Sequence, residues 1–388
     1  MRLVVTGGGS GGHVYPALSV VASLRELAGD RLGPDDLLYV GMVQGMEYGL
    51  VRRAGLPFQG VSAGPVRGRT PPRLAVSGTR IVAGVAQAAA LLRRFRAQAV
   101  LATGGYVCVP VVLGAWLQRI PTLVYLPDVE PGLAVRFLSR FARRIAVSVE
   151  QSRSALPAGK VTVTGYPVRP ELFRLDRVQA RQRFGLAPEG KLLLVLGGSQ
   201  GSRSINEALR AVLPELLEAC QIIHVCGQED EAALRAARDT LPDGMRRRYL
   251  LYRYLHEDMP YALAAADLAV SRSGASVLGE YPAVGLPSVL VPYPHAGMHQ
   301  RHNARALADA GAALILEERG LESLYAWVRR LLEDTETLQA MSVQARVLAR
   351  PDAARRIAGM LLELAGEPVA LRTVEASVAR PEPVEEAG

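Results

Sequence analysis

Short apolar runs alternate with longer segments of helical period along most of the chain. In the first part the runs fall at 2–6, 37–40, 99–102, 122–125, 144–147 and 161–164. They are continuous rather than alternating, the pattern of strands covered on both faces, and strands separated by helices predict a parallel sheet. The rhythm restarts at 192–196, 221–225, 249–252, 268–270 and 288–291, with a helix predicted near 205–220. Between the two series, Gly165-Tyr166-Pro167-Val168-Arg169-Pro170 reads as an interdomain turn, because proline and glycine break either period. The division predicts an N-terminal domain over 1–165 and a C-terminal one over 166–351.

Three further segments complete the organisation. Pro71-Pro72 precedes a long Ala/Val/Leu helix ending near Arg94. Residues 352–364 place Ala353, Ile357, Met360, Leu361 and Leu364 on one helical side, and this helix is predicted to pack back on the N-terminal domain. Beyond Gly366 the chain is rich in Pro, Glu, Val and Ala, so 367–388 is predicted to be a disordered tail. Residues 99–117 hold no charge over 19 positions. Thr103-Gly104-Gly105-Tyr106 and Pro110 would break a spanning helix there, so a buried strand, a glycine turn and a helix start are predicted instead.

Two strand-to-helix junctions are rich in glycine and lie about half a chain apart. The first is Gly7-Gly8-Gly9-Ser10-Gly11-Gly12-His13, and the second is Gly197-Gly198-Ser199-Gln200-Gly201-Ser202-Arg203. Glycine lets the backbone approach a bulky ligand, and the helix that follows favours an anion through its N–H groups and dipole. Neither has the Gly-Lys-Ser/Thr of a P-loop, and neither fits the dinucleotide fingerprint. The expected fold class is α/β, with two Rossmann-like domains whose parallel sheets face each other across a cleft.

Composition narrows the partners. Of 388 residues, 49% are apolar and 21% charged, as in an ordered chain long enough for two cores. Cys108, Cys220 and Cys226 show no metal-ligand spacing, which predicts a reduced, cytoplasmic setting, and no signal peptide is read at the N-terminus. Residues 1–170 carry 20 Lys and Arg against 8 Asp and Glu, whereas the remaining 218 carry 25 against 29. A basic first half implies a polyanionic partner. Arg93-Arg94-Phe95-Arg96 and the 136–144 cluster interleave arginine with bulky apolar residues, which suits an anionic membrane surface better than nucleic acid.

Several residues could carry chemistry. His13 closes the first glycine turn, where it reads either as a general base or as a helix-entry residue bonded to the loop. Ser271-Arg272-Ser273-Gly274-Ala275-Ser276 follows a strand and could hold a phosphate, with Glu280 placed to accept from a ribose diol. Gln300 and Asn303 fall three apart, on one face of a starting helix, and amides suit sugar hydroxyls. The histidines around them lack a zinc-binding pattern, and no Asp-x-Asp pair is present, so no metal and no cofactor are expected. A leaving diphosphate would then be met by helix N-termini and by Arg169.

These motifs, with Thr103-Gly-Gly-Tyr106, Pro131-Gly-Leu133, Pro167-Val-Arg169, Gly285-Leu-Pro287 and His299-Gln300-x-x-Asn303-Ala304, resemble the MurG family in order and cover about residues 1–350. The resemblance implies the two-domain GT-B fold. It also implies transfer of N-acetylglucosamine from its UDP donor to the lipid-linked muramyl-pentapeptide, making lipid II at the cytoplasmic face of the membrane. On this resemblance the C-terminal half holds the UDP-sugar. Glu280 takes the ribose, Ser199 with the Ala275–Ser276 turn takes the diphosphate with help from Arg169, and Gln300 and Asn303 read the sugar. Ser10, Gly11, Gly12 and Gln200 belong to the two glycine turns that face the substrates. The basic N-terminal half accepts the lipid diphosphate.

The chain departs from that family in places. Tyr125-Leu126-Pro127-Asp128 stands where His-Glu-Gln-Asn is usual, which removes polar groups from the expected acceptor region. Val277 replaces a hydroxyl residue, Tyr166 an asparagine, and His256 an apolar residue at the position associated with uracil. The sequence thus reads as a metal-independent inverting glycosyltransferase, with His13 as base and Asp128 as the alternative. The other readings are a transferase to diacylglycerol or another membrane lipid, a UDP-N-acetylglucosamine 2-epimerase, and a non-catalytic nucleotide-sugar-binding protein.

Overall fold

The computed structural model describes residues 1–64, 71–198, 200–294 and 298–367. Seven strands form the first sheet: β1 (Leu3–Thr6), β2 (Leu37–Gly41), β3 (Phe58–Gly60), β4 (Ala99–Ala102), β5 (Thr122–Leu126), β6 (Arg144–Val147) and β7 (Val161–Val163). Six form the second: β8 (Lys191–Leu196), β9 (Cys220–Val225), β10 (Tyr249–Tyr252), β11 (Leu268–Ser271), β12 (Ser288–Leu290) and β13 (Ala313–Ile315). All pairings are parallel, in the orders β3-β2-β1-β4-β5-β6-β7 and β10-β9-β8-β11-β12-β13. Two Rossmann-like α/β sheets are therefore present. In each, the order reverses beside the strand that carries the glycine turn, and parallel α/β sheets bind ligands at such points.

The edge strands β3 and β13 went unread: β3 is Phe58-Gln59-Gly60, with one apolar side chain, and β13 follows a run of alanine and glycine that hides its start. The helix predicted near 205–220 is two helices, Arg203–Ala211 and Leu213–Ala219, and Cys220 already belongs to β9. Pro214, with no N–H to donate, sits in the first turn of the second piece and separates it from the first. The uncharged stretch is β4, a glycine turn and the helix Cys108–Leu117; among the described residues no helix is long and apolar enough to cross a membrane.

The chain passes between the halves twice, side by side. Gly165 has φ +96°, and a Cβ there would lie 2.5 Å from Arg350 Cβ. Immediately after Arg350 the helix Ala353–Leu364 returns to the first sheet. There Ile357, Ala358, Leu361 and Leu362 are fully buried in one apolar cluster with Leu3, Val5, Leu24 and Leu101. Each buried Leu or Ile stabilises this return by about 1.5–3 kcal/mol. Arg355 Nη1 to Glu26 at 3.1 Å and Arg144 Nη1 to Glu363 at 2.5 Å add exposed ion pairs. Of the predicted tail, Glu367 is described and 368–388 lie outside the described residues.

Candidate active site

A cleft of about 930 Å³ runs between the carboxyl ends of the two sheets. On the first-sheet side the turn after β1 leads into the helix Gly11–Ala28, whose first turn holds no acidic residue, so its dipole faces the cleft unopposed. The turn is held from below by Glu47, a fully buried carboxylate that accepts from Gly9 N–H at 3.3 Å and Met42 N–H at 3.0 Å. Glu47 was missed in sequence because it lies in a short, otherwise ordinary helix, Met46–Arg53.

His13 is fixed by the glycine turn after β4. Its Nδ1 lies 2.9 Å from Thr103 O, and Thr103 Oγ1 donates to His13 O at 2.8 Å. A carbonyl oxygen only accepts, so Nδ1 carries the proton and Nε2 keeps its lone pair. Gly104, at φ +113°, makes room for the ring, since a Cβ there would come within 2.6 Å of Nδ1. Burial lowers the His13 pKa from 6.5, opposed by the charge of Asp128 and the Thr103 carbonyl. The net effect keeps the imidazole neutral at pH 7, with both features of the two sequence readings present: a loop-bonded ring and an available basic nitrogen.

The Tyr125–Asp128 departure is mostly interior. Tyr125 and Leu126 are buried in β5, and the Tyr125 hydroxyl donates to Ser148 Oγ at 2.7 Å, whose own hydrogen serves the carbonyl of Pro127 at 2.8 Å. Asp128 is the residue of this segment that reaches the cleft. Of these four positions, three are interior in this chain and Asp128 lines the cleft. Tyr166 is buried against Gly279 and lines the cleft, with its hydroxyl 3.5 Å from Gly12 O.

On the second-sheet side, Gly197, Gly198, Gln200 and Gly201 line the cleft, and Ser199 lies outside the described residues. The 3-10 turn Ala275–Leu278 and the short helix Glu280–Val284 are separate pieces joined at Gly279, not one helix. They bring Ala275, Ser276 and Glu280 into the cleft opposite Arg169. Burial raises the Glu280 pKa, while a hydrogen bond from Ser276 and the Arg169 charge pull it down. His256 and Tyr254 close one end, their rings 4.6 Å apart. Each also touches the first half: Arg53 Nη1 lies 3.4 Å from His256 Nδ1, and Tyr15 and Tyr254 hydroxyls lie 3.3 Å apart. Arg272, buried behind the loop, donates to Glu318 at 2.6 Å and Ser204 at 2.8 Å.

Gln300 lines the cleft, its Oε1 accepting from Tyr293 N–H at 3.0 Å. Asn303 does not. It is fully buried, donates to Asp128 Oδ1 at 2.8 Å and Ser273 O at 3.1 Å, and accepts from Val129 N–H at 3.0 Å. Both of its amide hydrogens are thus engaged by protein oxygens, and freeing them with no replacement would leave buried polar groups unpaired. Among the described residues no three His, Cys, Asp or Glu side chains group as metal ligands.

The Glycosyltransferase family 28 N-terminal domain matches residues 3–147, and the Glycosyltransferase family 28 C-terminal domain matches residues 192–357. The chain belongs to glycosyltransferase family 28. It is similar to a UDP-N-acetylglucosamine–N-acetylmuramyl-(pentapeptide) pyrophosphoryl-undecaprenol N-acetylglucosamine transferase of Roseiflexus sp., at 45% identity over 93% of this chain and 94% of the relative. Among solved structures it is similar to Acinetobacter baumannii MurG, with 27% identity, a TM-score of 0.69, and coverage of 93% and 99%. The UDP-N-acetylglucosamine 2-epimerase of Neisseria meningitidis bound to UDP-N-acetylglucosamine shares the fold alone, at 16% identity, a TM-score of 0.65, and coverage of 94% and 100%. Family 28 membership makes this a UDP-sugar glycosyltransferase of GT-B fold, which sets aside the epimerase and non-catalytic readings.

Proposed function

We propose that this chain moves N-acetylglucosamine from UDP-N-acetylglucosamine to the lipid-linked muramyl-pentapeptide, converting lipid I to lipid II with inversion at the anomeric carbon. One observation carries this reading. A single cleft joins a neutral, hydrogen-bonded imidazole of the first half to the Glu280–Arg169 pair and the glycine turn of the second, in a chain that resembles enzymes of that activity. In this reading the acceptor hydroxyl attacks from the face opposite UDP. His13 Nε2 takes its proton, and Asp128 stabilises the imidazolium that forms. Arg169 and the turns at Gly197–Gly201 and Ala275–Ser276 meet the charge that develops on the departing diphosphate. Glu280 accepts from the ribose diol, His256 borders the uracil, and Gln300 meets the sugar. Ser10, Gly11 and Gly12 present the first helix dipole to the acceptor diphosphate.

The same reading places the protein peripherally on the cytoplasmic face of the membrane. Its support is a basic groove of about 750 Å³ at the opposite end of the first sheet, where Arg119, Arg140, Arg143 and Lys160 surround Trp116 and Phe141. Trp116, Leu117, Leu133 and Phe137 are exposed apolar side chains of the same half. Amphipathic surfaces of this kind bind anionic lipid through both buried apolar area and charge. The test is UDP release with a lipid I analogue, diacylglycerol or water as acceptor. Release that depends on the lipid I analogue supports the proposal, and release with diacylglycerol in preference to it would replace the acceptor.

A further inference from the structure

The turn after β1 carries two kinds of backbone N–H. Those of Gly8 and Gly9 are taken by the protein: Gly8 N–H donates to Gly104 O at 3.1 Å, and Gly9 N–H to Glu47 Oε2 at 3.3 Å. The Tyr39 hydroxyl, from β2, donates to Gly7 O at 2.8 Å. The N–H groups of Ser10, Gly11 and Gly12 have no hydrogen-bond partner among the described residues, and these residues line the cleft at the start of the helix Gly11–Ala28. The first N–H groups of a helix have no intrahelical acceptor, so they stay available to an anion. Glu47 is the charged member of this anchorage and is fully buried. Its other oxygen, Oε1, accepts from Met42 N–H at 3.0 Å, so one carboxylate clamps the turn after β1 to the loop after β2. The carboxylate also fills the space that side chains would need. A Cβ at Gly8 would lie 2.5 Å from Oε1, and one at Gly45 closer still, so glycine at both positions is matched to it. Among the described residues Glu47 forms no ion pair, and backbone N–H groups hold its charge.

We propose that Glu47 is a positioning residue for a substrate diphosphate: by taking Gly9 N–H and Met42 N–H together, it fixes the turn so that the N–H groups of Ser10, Gly11 and Gly12 are presented to the cleft. This rests on the reading that the first turn meets a substrate diphosphate, a group that donor and acceptor both carry. Charge and geometry act in opposite directions here. A buried negative charge beneath the turn repels an anion through space, whereas the clamp presents the N–H groups that bind it. An amide in place of the carboxylate removes the repulsion. It has only one accepting oxygen, however, and so leaves either Gly9 or Met42 N–H unpaired in the interior. Glutamine at this position therefore separates the two effects by sign: weaker diphosphate binding if the clamp dominates, tighter binding if the charge does.

The test is a titration of the full chain with inorganic pyrophosphate, read by NMR at the backbone amides of Ser10, Gly11 and Gly12, for wild type and Glu47→Gln. The wild-type amides should shift, and the variant should need about tenfold more pyrophosphate for the same shift. In transfer assays the KM of one substrate should rise about tenfold, the acceptor's under the proposed reaction, with kcat and the other KM within about threefold. A rise in the donor KM instead would assign the turn to the donor diphosphate and keep the role of Glu47. If Glu47→Gln does not fold, Glu47→Asp keeps the charge but, one methylene shorter, cannot span both N–H groups, and should give the same split. A folded variant that binds pyrophosphate equally or more tightly would overturn the proposal, as would a loss of kcat with both KM values intact. Wild-type amides that ignore pyrophosphate would instead overturn the reading of the turn on which the proposal rests.

Discussion

Gly104→Ala is the sharpest probe of His13, because it moves the imidazole without touching it. The new Cβ would lie 2.6 Å from Nδ1 and 2.7 Å from Cε1 of the ring. Non-bonded atoms prefer about 3.5 Å or more, so the ring must retreat by roughly 1 Å. That retreat stretches the 2.9 Å bond from Nδ1 to Thr103 O past useful length. A misplacement of about 1 Å near the reacting atoms can cost about 10²-fold in rate. A side chain at φ +113° adds backbone strain, on the order of 1–3 kcal/mol of stability. The expected outcome is a folded, less stable enzyme with kcat down about 10²-fold and an unchanged donor Kd by calorimetry. His13→Ala should lower kcat by about 10²–10⁴-fold, and the double variant should fall no further than His13→Ala, since both act through one group. The wild-type rate should fall in acid with a limb below pH 6.5, because burial lowers the His13 pKa from that value and the protonated ring cannot accept a proton. A folded Gly104→Ala enzyme within about threefold of wild type, or losses that multiply in the double variant, would refute the assignment.

Glu280→Ala should weaken UDP-sugar binding by about 1.5–3 kcal/mol, the scale of a hydrogen bond to a charged group. Wild-type binding should also weaken in acid, starting above pH 4.5 because burial raises this carboxyl, and calorimetry across pH checks both. Replacing Arg136, Arg140 and Arg143 with glutamine should reduce binding to anionic vesicles and flatten its salt dependence, as sedimentation would measure. Behind the second glycine turn, His224 is buried between Tyr249 and Asn206 and pushed down to about 3. A depressed pKa means that the unfolded chain binds the extra proton first. Stability should then fall by up to about 1.4 kcal/mol per pH unit from pH 6.5 towards 3, and urea unfolding of wild type against His224→Gln should isolate that slope.

The two sheets were legible because their signals are local. Leu3–Thr6 and Lys191–Leu196 are apolar runs that end in glycine clusters, and such punctuation needs no knowledge of what packs above it. That His13, Glu280, Arg169 and Gln300 line the cleft was legible for the same reason, each being attached to a turn visible in sequence. The burial of Asn303 was not legible because its partners lie 174 and 175 positions away, and the spacing of two amides on a helix cannot show which one is covered. Glu47 carries no pattern of its own and becomes meaningful only where the turn after β1 rests on it. Tyr125 looked like a lost polar group, yet at the buried end of β5 it is a core residue satisfied by Ser148.

The central claim is inverting transfer to a lipid-linked muramyl acceptor, and the product itself tests it most directly. The full chain, UDP-N-acetylglucosamine and a lipid I analogue would be incubated together, and the isolated glycolipid examined by NMR and mass spectrometry. The account predicts a single added N-acetylglucosamine in β linkage, with UDP released in equal amount. An α linkage would contradict inversion, and an untouched lipid I analogue beside glycosylated diacylglycerol would contradict the acceptor.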